Sequence, residues 1–365
     1  MQSKMENMSP PLYELWEILK KNRLAIAGLT TLLIFFLVAI LGLFLTSGKN
    51  PIYDPAKVRL EAKLLPPMTV IHENTLNTLN EKDIPPFRIF LFGTDHLGRD
   101  VFSRMLQGAW VSLTVGFVAV GISVFIGIII GGIAGYYGNK SISLDYLLLF
   151  IILICGLIII YYKKWLGTFI LLFFIVATSI KKLFKKNFFN FSILIDSIIM
   201  GIIDIMLCFP SFFLILTVVA LLPPSIYNIM VVIGLTSWMG TARFIRAEFL
   251  SLREREFVLA AKAMGVSDLI IIFKHMLPNA ITPVLVSATI GIARAILTEA
   301  GLSFLGFGVP PPHATWGNIL SEGKYYLFDA PWLTLIPGTA ILIVVLAFNL
   351  FGEGLRDALN PKSRD

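Results

Sequence analysis

Few residues in this chain are arranged for bond-making chemistry. Its cysteines, Cys155 and Cys208, stand alone inside apolar runs without a C-x-x-C pair, and read as small buried hydrophobes. Its histidines, His72, His96, His275 and His313, are scattered and form no ligand cluster, so no metal site is expected. No G-x-x-x-x-G-K-[ST] phosphate loop occurs, so the chain is expected to hydrolyse no nucleotide and to bind no cofactor itself.

What remains is charge in unusual surroundings. Asp204, Arg294 and Glu299 fall in or near long apolar runs, and Asp196 stands at the end of one. A charge at the bilayer centre costs ~2.5–3.5 kcal/mol on insertion scales, so such groups face a bundle interior or a water-filled path. Two roles fit them: lining or gating a pathway, and forming salt bridges between helices. Arg294 and Glu299 are five residues apart, about 140° around a helix, and are not expected to pair directly.

A second feature is the polar stretch Arg243 to Pro278 between two apolar runs. Its segment 254–264 favours a helix, and Gly265 is a natural residue to end one. Phe257, Ala260, Ala261 and Met264 recur at helical spacing and make one apolar face, small in the middle and bulky at the ends. Ser267 and Asp268 then suit the start of a second helix running to Pro278. Such a face suits docking into another protein's groove, or lying on lipid headgroups. The alternating charges Arg253, Glu254, Arg255 and Glu256 favour docking.

The elements that hold these residues follow from composition. Of 365 residues 56% are hydrophobic and 15% charged, and the mean hydropathy is +0.82, which fits neither a soluble enzyme nor a disordered regulator. The net charge of +7 would suit nucleic acid, but in a membrane chain the distribution of the positive residues matters more, and no nucleic-acid partner is expected. About 20 apolar residues cross the hydrocarbon as a helix. Residues 1–23 read as a cytoplasmic segment and 24–45 as a retained first span, with no cleavage site. Residues 46–108 then read as an ordered extracytoplasmic loop. Further spans are expected at Ala109–Gly135, Ile142–Tyr162, Trp165–Ile180, Ser192–Leu222 with a kink near Pro210, Ile226–Phe244, Ala280–Ser303 and Leu333–Gly352. The Ile142–Ile180 pair reads as a hairpin or as a re-entrant pair. Lysine and arginine cluster at 20–23, 181–186, 243–274 and 356–364, which sets those segments and both termini in the cytoplasm.

Several longer motifs resemble one family. Ala260-Ala261, Gly265 and Leu277-Pro278 resemble the E-A-A-x-x-x-G…L-P loop of ABC importer permeases. Phe92-Gly-Thr-Asp-His-Leu-Gly-Arg-Asp-Val-Phe-Ser-Arg104, Gly135-Tyr-Tyr-Gly138, Phe209-Pro-Ser211, Glu299-Ala-Gly-Leu-Ser-Phe-Leu-Gly-Phe-Gly308, Trp316-Gly-Asn318 and Asn360-Pro361 resemble its oligopeptide/dipeptide/nickel branch, C-type subunit. The resemblance implies an all-α polytopic protein with the type I ABC importer transmembrane fold: six family spans within 24–45 and 109–353, plus an inserted hydrophobic hairpin at 141–191. It also implies a coupling loop at 248–278, in which Glu256, Phe257, Ala260, Ala261, Met264, Gly265, Leu277 and Pro278 would meet a cytoplasmic ATPase, and a cytoplasmic tail at 354–365.

The implied partners are a homologous B-type permease, two ABC ATPase subunits holding ATP and Mg, an extracytoplasmic solute-binding protein, the lipid bilayer and a peptide cargo. Nickel or another small solute is the exception within the family. The implied location is a bacterial inner membrane. Glu299 matches the family's outer-end motif and is the leading gate candidate. Asp95, Arg99 and Asp100 read either as a folded cap held by ion pairs or as a surface for the binding protein. The sequence departs from the family's pattern at Leu259, where glutamate is usual, and at Gly201, where arginine is usual. An ion-coupled secondary carrier using the membrane charges is the rival from another class, but no matching halves are visible and it leaves the Ala-Ala-x-x-x-Gly loop unexplained.

Overall fold

The computed structural model describes residues 12–48, 51–71, 86–143 and 192–359. The expected hairpin falls almost wholly outside the described residues, as does the Asn360-Pro361 motif. The chain opens with α1 (Leu12–Lys21) and α2 (Arg23–Thr46). Asn22 separates them: its Oδ1 accepts the N–H groups of Leu24 and Ala25, both at 3.1 Å, and so caps the first span.

A small extramembrane unit follows. β1 (Thr69–Val70) and β2 (Ile89–Phe90) form an antiparallel ladder over a core of Ala62, Ile71 and Phe90. Next comes α3 (Val101–Tyr137), which starts at Val101 rather than at Ala109. The reason is Asp100, whose carboxylate accepts from the Phe102 and Ser103 amides and caps the helix before the apolar run begins. At 37 residues α3 is about 55 Å long, so it projects beyond a ~30 Å hydrocarbon layer.

Past α3, β3 (Ser141–Ser143) pairs antiparallel with β4 (Ser192–Leu194), Ser143 opposite Ser192. The two ends of the insertion therefore meet in one ladder. An insertion that leaves and returns at one point need not disturb what lies on either side.

The expected span Ser192–Leu222 is two helices, α4 (Ile195–Cys208) and α5 (Ser211–Leu221), bent by 82°. Pro210 causes the break. It lacks an N–H to continue the ladder, and it drives Phe209 into extended backbone (φ −86°, ψ 131°). α6 (Ile226–Arg253) continues past Phe244, so the first part of the expected polar loop is helix. α7 (Glu256–Ala263) and α8 (Asp268–Phe304) follow. Pro278 does not end a helix. Ile271–Met276 winds as a π-helix immediately before it, and the altered register lets a residue without an N–H sit near the start of the long α-helical run. α9 (Trp316–Gly323) and α10 (Trp332–Leu359) complete the fold.

Among the described residues five helices are long and apolar enough to span, and the bent α4–α5 pair makes a sixth element, which matches the six family spans. The tightest seam joins α3 to α6. A Cβ on Gly131 would stand 2.3 Å from the Ala242 carbonyl oxygen, and one on Gly135 2.5 Å from the Phe249 Cβ. Small residues let two helices approach in lipid, where no hydrophobic force drives them together.

Gly131→Ala is expected to force α3 and α6 apart and to destabilise the chain by about 1–3 kcal/mol. Gly121→Ala, whose Cβ meets nothing within 4 Å, serves as the control. Thermal unfolding of both variants in mild detergent checks the contrast; equal midpoints would contradict the packing.

Candidate functional site

The polar end of the bundle is built around α7. Tyr136 of α3, Ile245 and Phe249 of α6, Val258 and Ala261 of α7, and Ile271, Met276 and Ala280 of α8 share one buried cluster. Val258 and Ala261 thus turn inward and fasten α7 to three spanning helices. Of the residues expected on one docking face, Phe257, Ala260 and Met264 are exposed, but Ala261 is buried at 2%. Leu259, which stands in place of the family's glutamate, is exposed at 47% and adds to the outward apolar surface. Leu269, Ile270 and Phe273 at the start of α8 extend it. Leu277 is half-buried against the cluster, and Pro278 is exposed.

The turn after α7 is closed by backbone geometry. The Val266 N–H donates to the Ala261 carbonyl at 3.1 Å and the Gly265 N–H to Lys262 at 3.0 Å, the paired bonds of a Schellman cap. Gly265 takes φ +74°, where a side chain would be strained although space is open. Ser267 stands at the N-cap of α8 without a side-chain capping bond. Asp268 instead accepts from the Tyr136 hydroxyl at 2.6 Å, and the Lys262 ammonium lies over the Tyr136 ring. The Gly-Tyr-Tyr-Gly motif therefore joins α3 to both sides of the turn.

On α6, Arg243 pairs with Asp204, and Arg246 grips Asp196 with two bonds, one of 2.6 Å from Nη2 to Oδ2. Asp196 and Asp204 are thus tied to neighbouring helices; the R-x-x-R spacing of Arg243 and Arg246 was their visible counterpart in the sequence. Gly201 has nothing within 4 Å of its Cβ position, so the missing arginine leaves no hole in the packing.

The opposite end, around α9, holds a second polar assembly. Asp95 receives Arg99 Nε at 2.7 Å and Arg104 Nη1 at 2.6 Å, and both guanidinium groups reach on to Glu322 of α9. Asp95 and Asp100 are buried, so neither offers its side chain to a docking protein. Their geometry is the folded cap, with Glu322 as the partner that sequence spacing did not reveal. His96 does join this group, stacked on Tyr326, and its ligand atom lies within 4.8 Å of Asp95 and Glu322 oxygens. Those carboxylates are already bridged by two arginines, which makes the group an ion-pair network. Burial pushes the Asp95 carboxyl up, but Arg104 and Arg99 outweigh it and hold it below the usual range.

A cavity of about 1080 Å³ opens among α3, α5, α6, α8 and α10. Arg294 and Thr298 line it, while Glu248, Asn279 and Arg356 border it near the α7 end. Glu299 is not in the lining. It is 1% exposed, and its Oε1 accepts from Ser303 Oγ at 2.7 Å. The expected gate carboxylate is therefore packed beneath the loop that leads to α9, where Gly308 and Gly317 both abut Ser303.

Arg104→Met is expected to leave Arg99 alone between the Asp95 and Glu322 carboxylates and to cost about 3 kcal/mol, seen as a lowered unfolding midpoint. For Asp95, the depressed carboxyl contributes stability that is present above the unfolded value near 4 and lost as pH falls through its folded value. The stability gap between wild type and Asp95→Asn should thus shrink below about pH 4. A gap unchanged across that range would contradict the ion-pair assignment.

Comparison with known proteins agrees with this architecture. Residues 183–365 match the family of the binding-protein-dependent transport system inner membrane component, and residues 11–67 match the N-terminal transmembrane domain of oligopeptide transport permease C. The dipeptide transport system permease protein DppC of Alkalihalophilus pseudofirmus is 36% identical over 354 residues, spanning 97% of this chain and 91% of the relative. DppC of Haemophilus influenzae is 34% identical, with 96% and 95% covered, and the oligopeptide permease protein OppC of Bacillus subtilis 30% identical, with 98% and 93% covered. The chain belongs to the binding-protein-dependent permeases, the membrane-spanning subunits of ABC importers.

Proposed function

We propose that this chain forms half of the path of an ATP-driven peptide importer. In this reading a homologous B-type permease supplies the other half, and an extracytoplasmic solute-binding protein delivers cargo at the α9 end. Two ATPase subunits, holding ATP and Mg, dock at the α7 end, which faces the cytoplasm of a bacterial inner-membrane protein. The chain itself is not an enzyme and holds no cofactor. Peptide cargo is supported by the relatives, which are dipeptide and oligopeptide permeases.

The observation that carries the reading is the two-sided build of α7. Its back, Val258 and Ala261, is buried in the bundle; Phe257 and Met264 on one flank and Leu259 on the other are apolar and exposed. A helix fixed from behind and apolar on its exposed flanks suits a protein groove and transmits displacement to α3, α6 and α8. The ion-coupled carrier is less well supported. Asp204 is held by Arg243, and Glu299 lies outside the cavity, so no carboxylate relay runs along the path among the described residues.

Leu259→Asp and Phe257→Asp place charge on the two exposed flanks of α7 without touching its anchor. Purified in mild detergent, both are expected to retain the homologous permease and lose at least about tenfold in recovered ATPase, as central interface residues do. Gly265→Arg is a weaker probe, because its positive φ strains the turn itself. Undiminished ATPase recovery with both aspartate variants would overturn the docking assignment.

A further inference from the structure

The membrane-embedded charges of this chain are not equivalent. Asp196 and Asp204 are neutralised by Arg246 and Arg243, and Glu299 is enclosed. Arg294 differs from all of them. Its side chain is exposed, it lines the cavity, and it has no ion-pair partner among the described residues. The ten residues from Arg294 to the end of α8 at Phe304 span about 15 Å, so Arg294 stands near the middle of a ~30 Å hydrocarbon layer.

An arginine at that depth is tolerated only where water or an anion meets it. The surrounding wall supplies hydroxyl groups, Ser287 and Thr298 on α8 and Thr236 and Ser237 on α6, and among the described lining residues the one carboxylate is that of Glu248. Glu248 and Arg356 border the cavity near the α7 end, and neither is bridged to Arg294. The guanidinium is thus a fixed positive charge at mid-depth, presented with its planar donor fork free. That fork matches a carboxylate through two parallel bonds.

We propose that Arg294 is an anion-binding residue of the translocation cavity, which holds a carboxylate of the passing peptide and makes the path favour acidic over basic cargo. This rests on the peptide-importer reading above and adds the chemistry of the site. A peptide brings a C-terminal carboxylate in every case, and an acidic side chain adds a second anion at the same depth. A lysine side chain brings a cation that the site repels.

The test uses the full chain in its own complex, in cells whose chromosomal copy is deleted, with the binding protein and other partners unchanged. Uptake of Ala-Asp, Ala-Ala and Ala-Lys is measured for wild type, Arg294→Lys, Arg294→Gln and Arg294→Glu, and the amount of assembled complex is checked by co-purification. Arg294→Gln is expected to lower the Ala-Asp to Ala-Lys uptake ratio about tenfold, the worth of one charge-assisted hydrogen-bond pair. Arg294→Lys should keep most of the preference, and Arg294→Glu should reverse it. Unchanged ratios in assembled, importing variants overturn the proposal. So does loss of the partner permease with Gln and Glu but not with Lys, which would make Arg294 a subunit contact. No uptake of any dipeptide by wild type would overturn the peptide reading itself, and this proposal with it.

Discussion

The close seam between α3 and α6 is the constraint on which the rest of the structure depends. Gly127, Gly131 and Gly135 recur every four residues on α3 and admit Thr241, Ala242 and Phe249 of α6 to distances that any side chain would forbid. In water a Gly-rich helix of this length would be poor; in lipid, loss of side chains is what permits the contact. Once α6 is fixed, its other faces do the positioning. Arg243 and Arg246 hold α4, Phe249 seats α7, and Thr236 and Ser237 become one wall of the cavity.

The same seam makes α7 an extension of the bundle instead of a loose loop. α6 ends at Arg253 and α7 begins at Glu256, so little backbone lies between them. The Schellman cap at Gly265 returns the chain at once into α8, and Tyr136 bonds across the turn to Asp268. Force applied to the exposed flanks of α7 therefore reaches three spanning helices through packed side chains. At the far end the arginine–carboxylate network ties the start of α3 to α9, so both ends of that long helix are anchored.

Much of this was legible in the sequence. Span positions follow from apolar length, Gly265 from its type, and the 92–104 motif from its compensated charges. The misreadings share one cause: one-dimensional pattern does not state which neighbour a residue meets. Pro278 and Pro210 look alike in sequence, yet a π-helical turn carries the chain through one, while the other breaks it by 82°. Glu299 and Arg294 sit in one apolar run, but the bundle closes over the glutamate and leaves the arginine on the cavity wall. Ala261 fits the docking face by spacing, and only the approach of Phe249, Ile271 and Met276 turns it inward. Glu322 lies 218 residues from Arg104, a separation that no local motif bridges.

The most direct test of a rigid α7 is a distance measured in the assembled complex. Spin labels at Ala263 and Ser141, both exposed, report α7 against the end of α3 in a chain whose Cys155 and Cys208 are replaced by Ser. With and without ATP, one narrow distribution at one distance is expected, while labels across the cavity, at Ser211 and Leu359, change separation. A shift or broadening of the Ala263–Ser141 distance on ATP binding would mean that α7 moves independently of the bundle, and the coupling described here would be wrong.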